Sequence, residues 1–526
     1  MNANTWRDHR RHDRMRPARA LLWGALTATA LALAPLPLSA GSKAGIRPPA
    51  VAGKFYPDDA ERLTAAVLEF LADAVPARAE RPLALVLPHA GYVYSGQIAA
   101  DGWRQAQGQP YDLVVVLGTN HTRSEFDGMS VWTGGGFRTP LGTATVDEAA
   151  AAALLAADPD CRFVPEVHAN EHSVEVQIPF AQVVLPGVKI LPVVVGSEEP
   201  RTCERLGRAL ARALANRQAL IVASCDLAHY PAATDAVASD RAVLTAIARL
   251  DDAALGKAIA AQMGAGHANL VTCACGESPV RVAMAAARAL GATRGTVLSW
   301  ANSGDTAVGE RDRVVGYGAV MFGKGPAGAD LAVLEPQSVP AADAALGPDD
   351  KRQLLAFARE TIRRYLDNGM TPLARRLPPA SMRLQGAFVT LEAGGELRGC
   401  IGHMAEDRPL GQVIGAMALA AAVEDPRFAP VVASEVPRLE IEISVLTPMQ
   451  RVPGPEAIVI GRDGVVLRKA GRSAVFLPQV AVEQGWDRLR LLEHLSAKAG
   501  LEAVAWKSGA EFFTFQAIVF RESEFR

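Results

Sequence analysis

Cysteine is scarce. Six residues in 526 are too few to staple a chain of this length, so a disulfide scaffold is excluded. Charge of one sign is missing too. The formal net charge is -2 and no long single-sign run occurs, which removes the electrostatic case for nucleic acid as a partner. No internal repeat is visible. Neither an H-E-x-x-H zinc motif nor a Cys-x3-Cys-x2-Cys iron–sulfur motif is present. What remains is ordinary globular composition, 49% hydrophobic and 21% charged, with material for more than one core.

The N-terminus departs from that composition. Arg7 to Arg19 is rich in Arg and His, Ala20 to Ala34 is almost wholly apolar, and Pro35-Leu36-Pro37-Leu38-Ser39-Ala40 follows. The apolar run is about 15 residues, short of the ~20 of a spanning helix. The pattern predicts a secretory signal over 1–40, cleaved after Ala40, with an uncleaved anchor as the other reading. The expected location is periplasmic or secreted, and the membrane is met only through this segment.

Beyond it, apolar runs at Leu83–Leu87, Leu113–Leu117, Ile190–Val195, Leu220–Ala223, Thr296–Trp300 and Val315–Phe322 are continuous, as in strands buried on both faces. Helical stretches at Cys203–Ala215, Asp240–Leu250 and Pro279–Leu290 alternate with them. This predicts an α/β layered sheet domain over 46–323. Residues 324–348, rich in Ala, Pro and Gly, read as a linker. A smaller α+β domain is expected over 349–526. It should have a helix at Asp350–Asn368 and strands at Ala387–Leu391, Leu397–Ile401 and Leu439–Leu446. A helix at Leu410–Ala422 and a last one at Arg488–Ala499 join them. Ala457–Ile460 and Gly464–Arg468 flank Arg462-Asp463-Gly464, a hairpin signal.

Three strands of the first domain end on histidine-bearing turns: Pro88-His89-Ala90-Gly91-Tyr92, Gly118-Thr119-Asn120-His121, and Ser224-Cys225-Asp226-Leu227-Ala228-His229. Ligands of open α/β sheets bind at the carboxyl ends of strands, so these histidines can converge on a metal. Cys275 precedes a helix expected to start with Ser278 as N-cap and Pro279 at its first position. There the helix dipole favours thiolate, the metal-binding form. Cys273 competes with it as a ligand or as a bridge partner. Cys161, Cys203 and Cys225 read as ordinary small or buried thiols. His168 and His267 read as surface residues. His172 and Glu175 read equally as partners of a ligand or as a salt-bridged pocket wall.

The ordered set Pro88-His89-Ala90-Gly91-Tyr92 with Tyr94-Ser95-Gly96, Leu117-Gly118-Thr119-Asn120-His121, Glu171-His172-Ser173-Val174-Glu175, Asp226-Leu227-Ala228-His229 and Cys275-Gly276-x-x-Pro279 resembles the MEMO family, as does Ala52-Gly53-Lys54-Phe55-Tyr56-Pro57. That resemblance implies a fold similar to class III extradiol dioxygenases, which use non-heme Fe(II). It implies His89, His121 and Cys275 as metal ligands, His229 as base or substrate contact with Asp226 orienting it, and a cleft containing Tyr94. Cysteine stands where the dioxygenases place a carboxylate, and thiolate opens copper and zinc beside iron. Leu397-Arg398-Gly399-Cys400-Ile401-Gly402, with Glu424-Asp425-Pro426-Arg427-Phe428, resembles the AMMECR family. Arg398 is there a candidate anion contact and Cys400 a candidate nucleophile, while glycines in a strand packed under a helix are the packing reading. Proteins of these two kinds are the B-type and A-type components of AmmeMemoRadiSam systems, which implies a radical-SAM partner. The readings carried forward are a non-heme iron or copper oxidoreductase acting on a small molecule, a non-catalytic metal- or partner-binding scaffold, and, less favoured, a zinc hydrolase.

Overall fold

The computed structural model describes residues 45–335 and 346–526; the expected signal segment lies outside them. Contacts divide the described chain into one unit of 45–335 with 360–376 and another of 346–359 with 377–526. No helix among the described residues is long and apolar enough to cross a membrane.

The first unit is built on a nine-stranded mixed sheet. In chain order its strands are β1 (Ala84–Leu87), β2 (Leu113–Thr119), β3 (Met129–Val131), β4 (Cys161–Arg162), β5 (Lys189–Val195), β6 (Ala219–Ser224), β7 (Arg294–Asn302), β8 (Gly316–Gly323) and β9 (Gly328–Asp330). They lie in the order β9-β7-β8-β1-β6-β2-β5-β3-β4. The four central strands β1, β6, β2 and β5 are mutually parallel. Leu113, Val115 and Leu117 of β2 enter one buried cluster, while Val114 and Val116 enter another on the opposite face. That two-sided burial is why these strands read as unbroken apolar runs rather than as alternating ones. The helices Pro200–Ala213, Ala233–Ala248 and Glu277–Ala289 cover the first face, and Ala60–Ala72 and Tyr92–Ala106 the second.

Three differences from the sequence reading have local causes. The helix expected to be capped by Ser278 begins at Glu277, after Gly276. A Cβ on Gly276 would lie 2.4 Å from Ser224 O and 2.7 Å from Cys225 Cβ, so this turn needs glycine to pack against the end of β6. The second difference is His168, which is buried, at 1% exposure, because Trp132 and Phe137 close around its ring and Ser130 Oγ lies 2.9 Å from Nε2.

The third lies in the second unit. Ala457–Ile460 forms no strand. Asp463 closes that loop instead, its carboxylate accepting from Val459 N at 2.9 Å and its own N–H donating to Val459 O at 3.0 Å. The hairpin pairs Gly464–Lys469 with Arg472–Phe476 around Ala470 and Gly471, both at positive φ. Two such residues make the turn whose twist suits a two-residue hairpin.

That unit has two antiparallel four-stranded sheets. One carries the strands Glu396–His403, Ala387–Ala393, Leu439–Leu446 and Ala517–Arg521, in that order. Helix Leu410–Val423 lies against it. A Cβ on Gly399 would meet Ala421 O of that helix at 2.1 Å. Gly399→Ala must therefore force strand and helix apart, and is expected to cost about 1–3 kcal/mol. A urea unfolding midpoint unchanged from wild type would show that the contact can relax freely.

Candidate metal centre

Strands β1, β6 and β2 are sheet neighbours, so the segments that follow them leave the same edge together. His89 follows β1, Asp226 follows β6 and His121 follows β2. Cys275 joins through its backbone, Cys275 N donating to Asp226 O at 3.1 Å, and Thr119 Oγ1 donates to Cys275 O at 3.0 Å. The short helix His172–Glu175 closes the group. It approaches β2 because Gly118 has no side chain: a Cβ there would lie 2.5 Å from both Ser173 Oγ and Val174 Cγ2.

The result is two sets of potential ligand atoms sharing His89. His89, His121 and His172 form one, and His89, Asp226 and Cys275 the other, all atoms of each set lying within 4.8 Å of one another. His89 Nε2 is 3.2 Å from Cys275 Sγ and 3.9 Å from Asp226 Oδ2, while its backbone N–H donates to Asp226 Oδ1 at 2.7 Å. The His121 and His172 rings stack with centroids 4.7 Å apart, and each lies edge-on to His89 at 5.2 and 5.4 Å.

Burial acts against the charged form of His89, Glu171, His172 and Cys275 alike. It lowers His172, with the neighbouring His89 adding to the effect, to about 4, so that ring stays neutral. His89 is pulled the other way: burial opposes its charged form, but Cys275 and Asp226 outweigh it and raise it. Glu171 is held well below the usual carboxylate range, its hydrogen bond to His121 overcoming the cost of burial. The helix start does not by itself make Cys275 a thiolate. Cys225 beside it, then burial, push the thiol up to about 12 against the pull of His89 and His121. A bound cation would supply what the dipole does not. Cys225 also accepts from Gly276 N at 3.3 Å. Cys273 is buried, and all six cysteines are free thiols.

A family model for Memo-like proteins matches residues 47–321, more than half of the chain. The chain belongs to the Memo-like family. A MEMO1 family protein of Aquifex aeolicus is 36% identical over 281 residues, covering 53% of this chain and 99% of that protein. Another, of Methanopyrus kandleri, is 34% identical over 294 residues, covering 53% and 99%. A second family model, AMMECR1, matches 355–520, so one chain carries both domains. An uncharacterised protein of Pyrococcus horikoshii with a crystal structure is 35% identical, covers 34% of this chain and 93% of its own, and has a TM-score of 0.33.

The Memo-like centre gathers the expected His89, His121 and Cys275 and adds two potential ligands: Asp226, expected to orient His229 but bonded instead to His89 N, and His172, expected as a partner of a ligand or a pocket wall. His229 is in neither set of ligand atoms. Its Nδ1 lies 2.9 Å from Leu227 O and its ring faces Tyr230, a residue at φ 75°. Tyr94 stands in the first turn of helix Tyr92–Ala106 at 36% exposure. Glu175 faces away from the ligands and binds Arg47, Tyr56 and the backbone of Ala50 and Val51. A cavity of about 610 Å³ opens at the opposite edge of the sheet, near Asp112, Asp147, Lys189 and Arg217, and none of the candidate ligands lines it.

In the AMMECR1 domain the two motifs bind each other. Cys400 N donates to Asp425 Oδ2 at 2.9 Å, and Arg427 donates to the same carboxylate and to Cys400 O. Cys400 Sγ is buried 3.1 Å from Thr390 Oγ1, and burial pushes the thiol up to about 12. Arg398 is engaged by Glu435 and by Ala429 O. These contacts tie the strand to the segment that follows its helix.

Proposed function

We propose that the Memo-like unit binds one transition-metal ion through His89, His121 and Cys275, with Asp226 or His172 as a further ligand. The observation that supports this is the approach of His89 Nε2 to Cys275 Sγ at 3.2 Å, with two more imidazoles and a carboxylate around them. The donor set fits such an ion. His121 Nδ1 is taken by Glu171 and His89 Nδ1 by Ser224, which leaves each Nε2 for the metal. Imidazole with thiolate suits iron, copper and zinc. Asp226 shares a set with His89 and Cys275, which places one imidazole and one carboxylate beside the thiol.

The finer reading is an oxidoreductase of the extradiol-dioxygenase kind. Bound iron would supply Lewis-acid and redox chemistry at an open coordination position. The chain's own part is to orient a small substrate and move a proton. His229 Nδ1 is occupied by Leu227 O, so Nε2 is the atom that would take the proton. The scaffold reading draws on a different observation: five candidate ligands are enough to close the coordination sphere without substrate.

Metal analysis of the full chain purified without oxygen separates these readings. One iron or copper per chain is expected, lost in His89→Ala and Cys275→Ser and kept in His229→Ala. An unchanged metal content in the first two variants sinks the ligand assignment. Oxygen uptake that disappears in His229→Ala while metal stays bound selects the oxidoreductase; no uptake with any reductant or catechol selects the scaffold.

A further inference from the structure

His121 sits in a loop beyond β2 with 32% of its side chain exposed, yet one carboxylate grips it at two points. Its backbone N–H donates to Glu171 Oε2 at 2.8 Å, and its ring Nδ1 lies 2.9 Å from Glu171 Oε1. Glu171 is 1% exposed and is itself tied down. Oε1 also accepts from Ser173 N at 2.8 Å, and the Glu171 carbonyl accepts from Arg47 Nη2 at 2.7 Å. Arg47 is held in turn by Glu175 at 2.6 Å. An ionised carboxylate can only accept, so the shared hydrogen belongs to His121 Nδ1 and the ring must turn Nε2 toward the other ligands.

His89 is held by a different device. Its Nδ1 lies 3.2 Å from Ser224 Oγ. Ser224 accepts from Gln177 Nε2 at 3.0 Å, and Gln177 Oε1 accepts from Trp103 Nε1 at 3.1 Å. A hydroxyl donates as readily as it accepts, so this neutral chain fixes the place of the ring without dictating its proton.

We infer that Glu171 is a positioning residue that makes the two imidazoles unequal: it locks His121 with a carboxylate behind Nδ1 and Nε2 turned toward the other ligands, while Trp103, Gln177 and Ser224 hold the His89 ring in place through a hydroxyl that can donate or accept. The effect on metal affinity rests on the metal reading above; the orientation of the His121 ring does not. Removing a carboxylate behind a ligating histidine typically weakens metal binding about 10–100-fold.

The test uses the full chain as wild type, Glu171→Gln, Glu171→Ala and Ser224→Ala, with two readouts. Long-range nitrogen-15 NMR on histidine-labelled protein without added metal reports which ring nitrogen of His121 carries hydrogen. Zinc, titrated against a competing chelator, reports affinity. Nδ1 of His121 protonated in wild type and Ser224→Ala, with the ring shifting to the Nε2–H form in Glu171→Ala, is the expected result. Zinc affinity should fall about 10–100-fold in Glu171→Ala and less in the other two. Glu171→Gln keeps an acceptor in place, so it guards against a fold-wide effect. A His121 Nδ1 without hydrogen in wild type overturns the inference, as does an equal loss of affinity in Ser224→Ala and Glu171→Ala. Wild type that takes up no zinc counts against the metal reading, and the ring result then decides the positioning role alone.

Discussion

Glu175→Ala is expected to destabilise the Memo-like unit by about 3–5 kcal/mol, the cost of removing one partner from a buried ion pair. Arg47 and Glu175 are 2% and 0% exposed and lie 2.6 Å apart. The same carboxylate accepts from Ala50 N at 2.8 Å, Val51 N at 3.0 Å and Tyr56 Oη at 2.6 Å. Alanine would leave a guanidinium, two amides and a phenol without that acceptor in a buried site, and Arg47 would keep only carbonyl hydrogen-bond partners such as His168 O and Glu171 O. The segment from Arg47 to Tyr56 should loosen first. Because Phe55 packs on His172 with centroids 4.9 Å apart, the loosening should reach the candidate metal centre. Denaturant unfolding checks the energy, and amide hydrogen exchange at Ala50 and Val51 checks the place. A loss below about 1 kcal/mol, within the ordinary worth of one hydrogen bond, would mean that apolar contacts hold the segment without Glu175.

Acid should weaken the same unit through His168, beginning above the range where carboxylates ordinarily titrate. Burial, with Arg47 adding to it, pushes this imidazole down to about 3 from an ordinary value near 6.5. Between those values the unfolded chain binds a proton that the folded one refuses, so stability falls as pH drops through that window and levels off below it. The slope from one such group is at most about 1.4 kcal/mol per pH unit. His168→Gln, neutral throughout, should flatten the loss between about pH 6.5 and 4.5 in part, because His172, also lowered by burial to about 4, adds a loss of the same sign. Unfolding free energies of both proteins across that window provide the check. Identical slopes would place the acid sensitivity elsewhere.

How much was legible in advance differs by level. Continuous Val/Leu runs gave the six principal strands to within two residues, because a strand buried on both faces has no polar position to blur its ends. The ordered motifs pointed to both families, and the strand-to-histidine endings pointed to the edge where a ligand group would gather. The hairpin at Ala470–Gly471 is not legible because alanine is a poor turn former at positive φ, whereas Asp463-Gly464 is a favoured hairpin pair and is used to close a loop.

The sequence by itself determined the family, the α/β class and three of the five side chains that could bind a metal, since these depend on residue type and on spacing along one element. Tertiary structure alone decided which of them meet. The order β1-β6-β2 set Asp226 between the two histidine-bearing strands. A glycine at 118 let His172 come in over β2. The packing of Cys225 against Cys275 made the thiol a poor acid where the helix start alone predicts a good one. Each of these is a contact across many intervening residues, and what a side chain's charge costs depends on the neighbours and the burial it finds there.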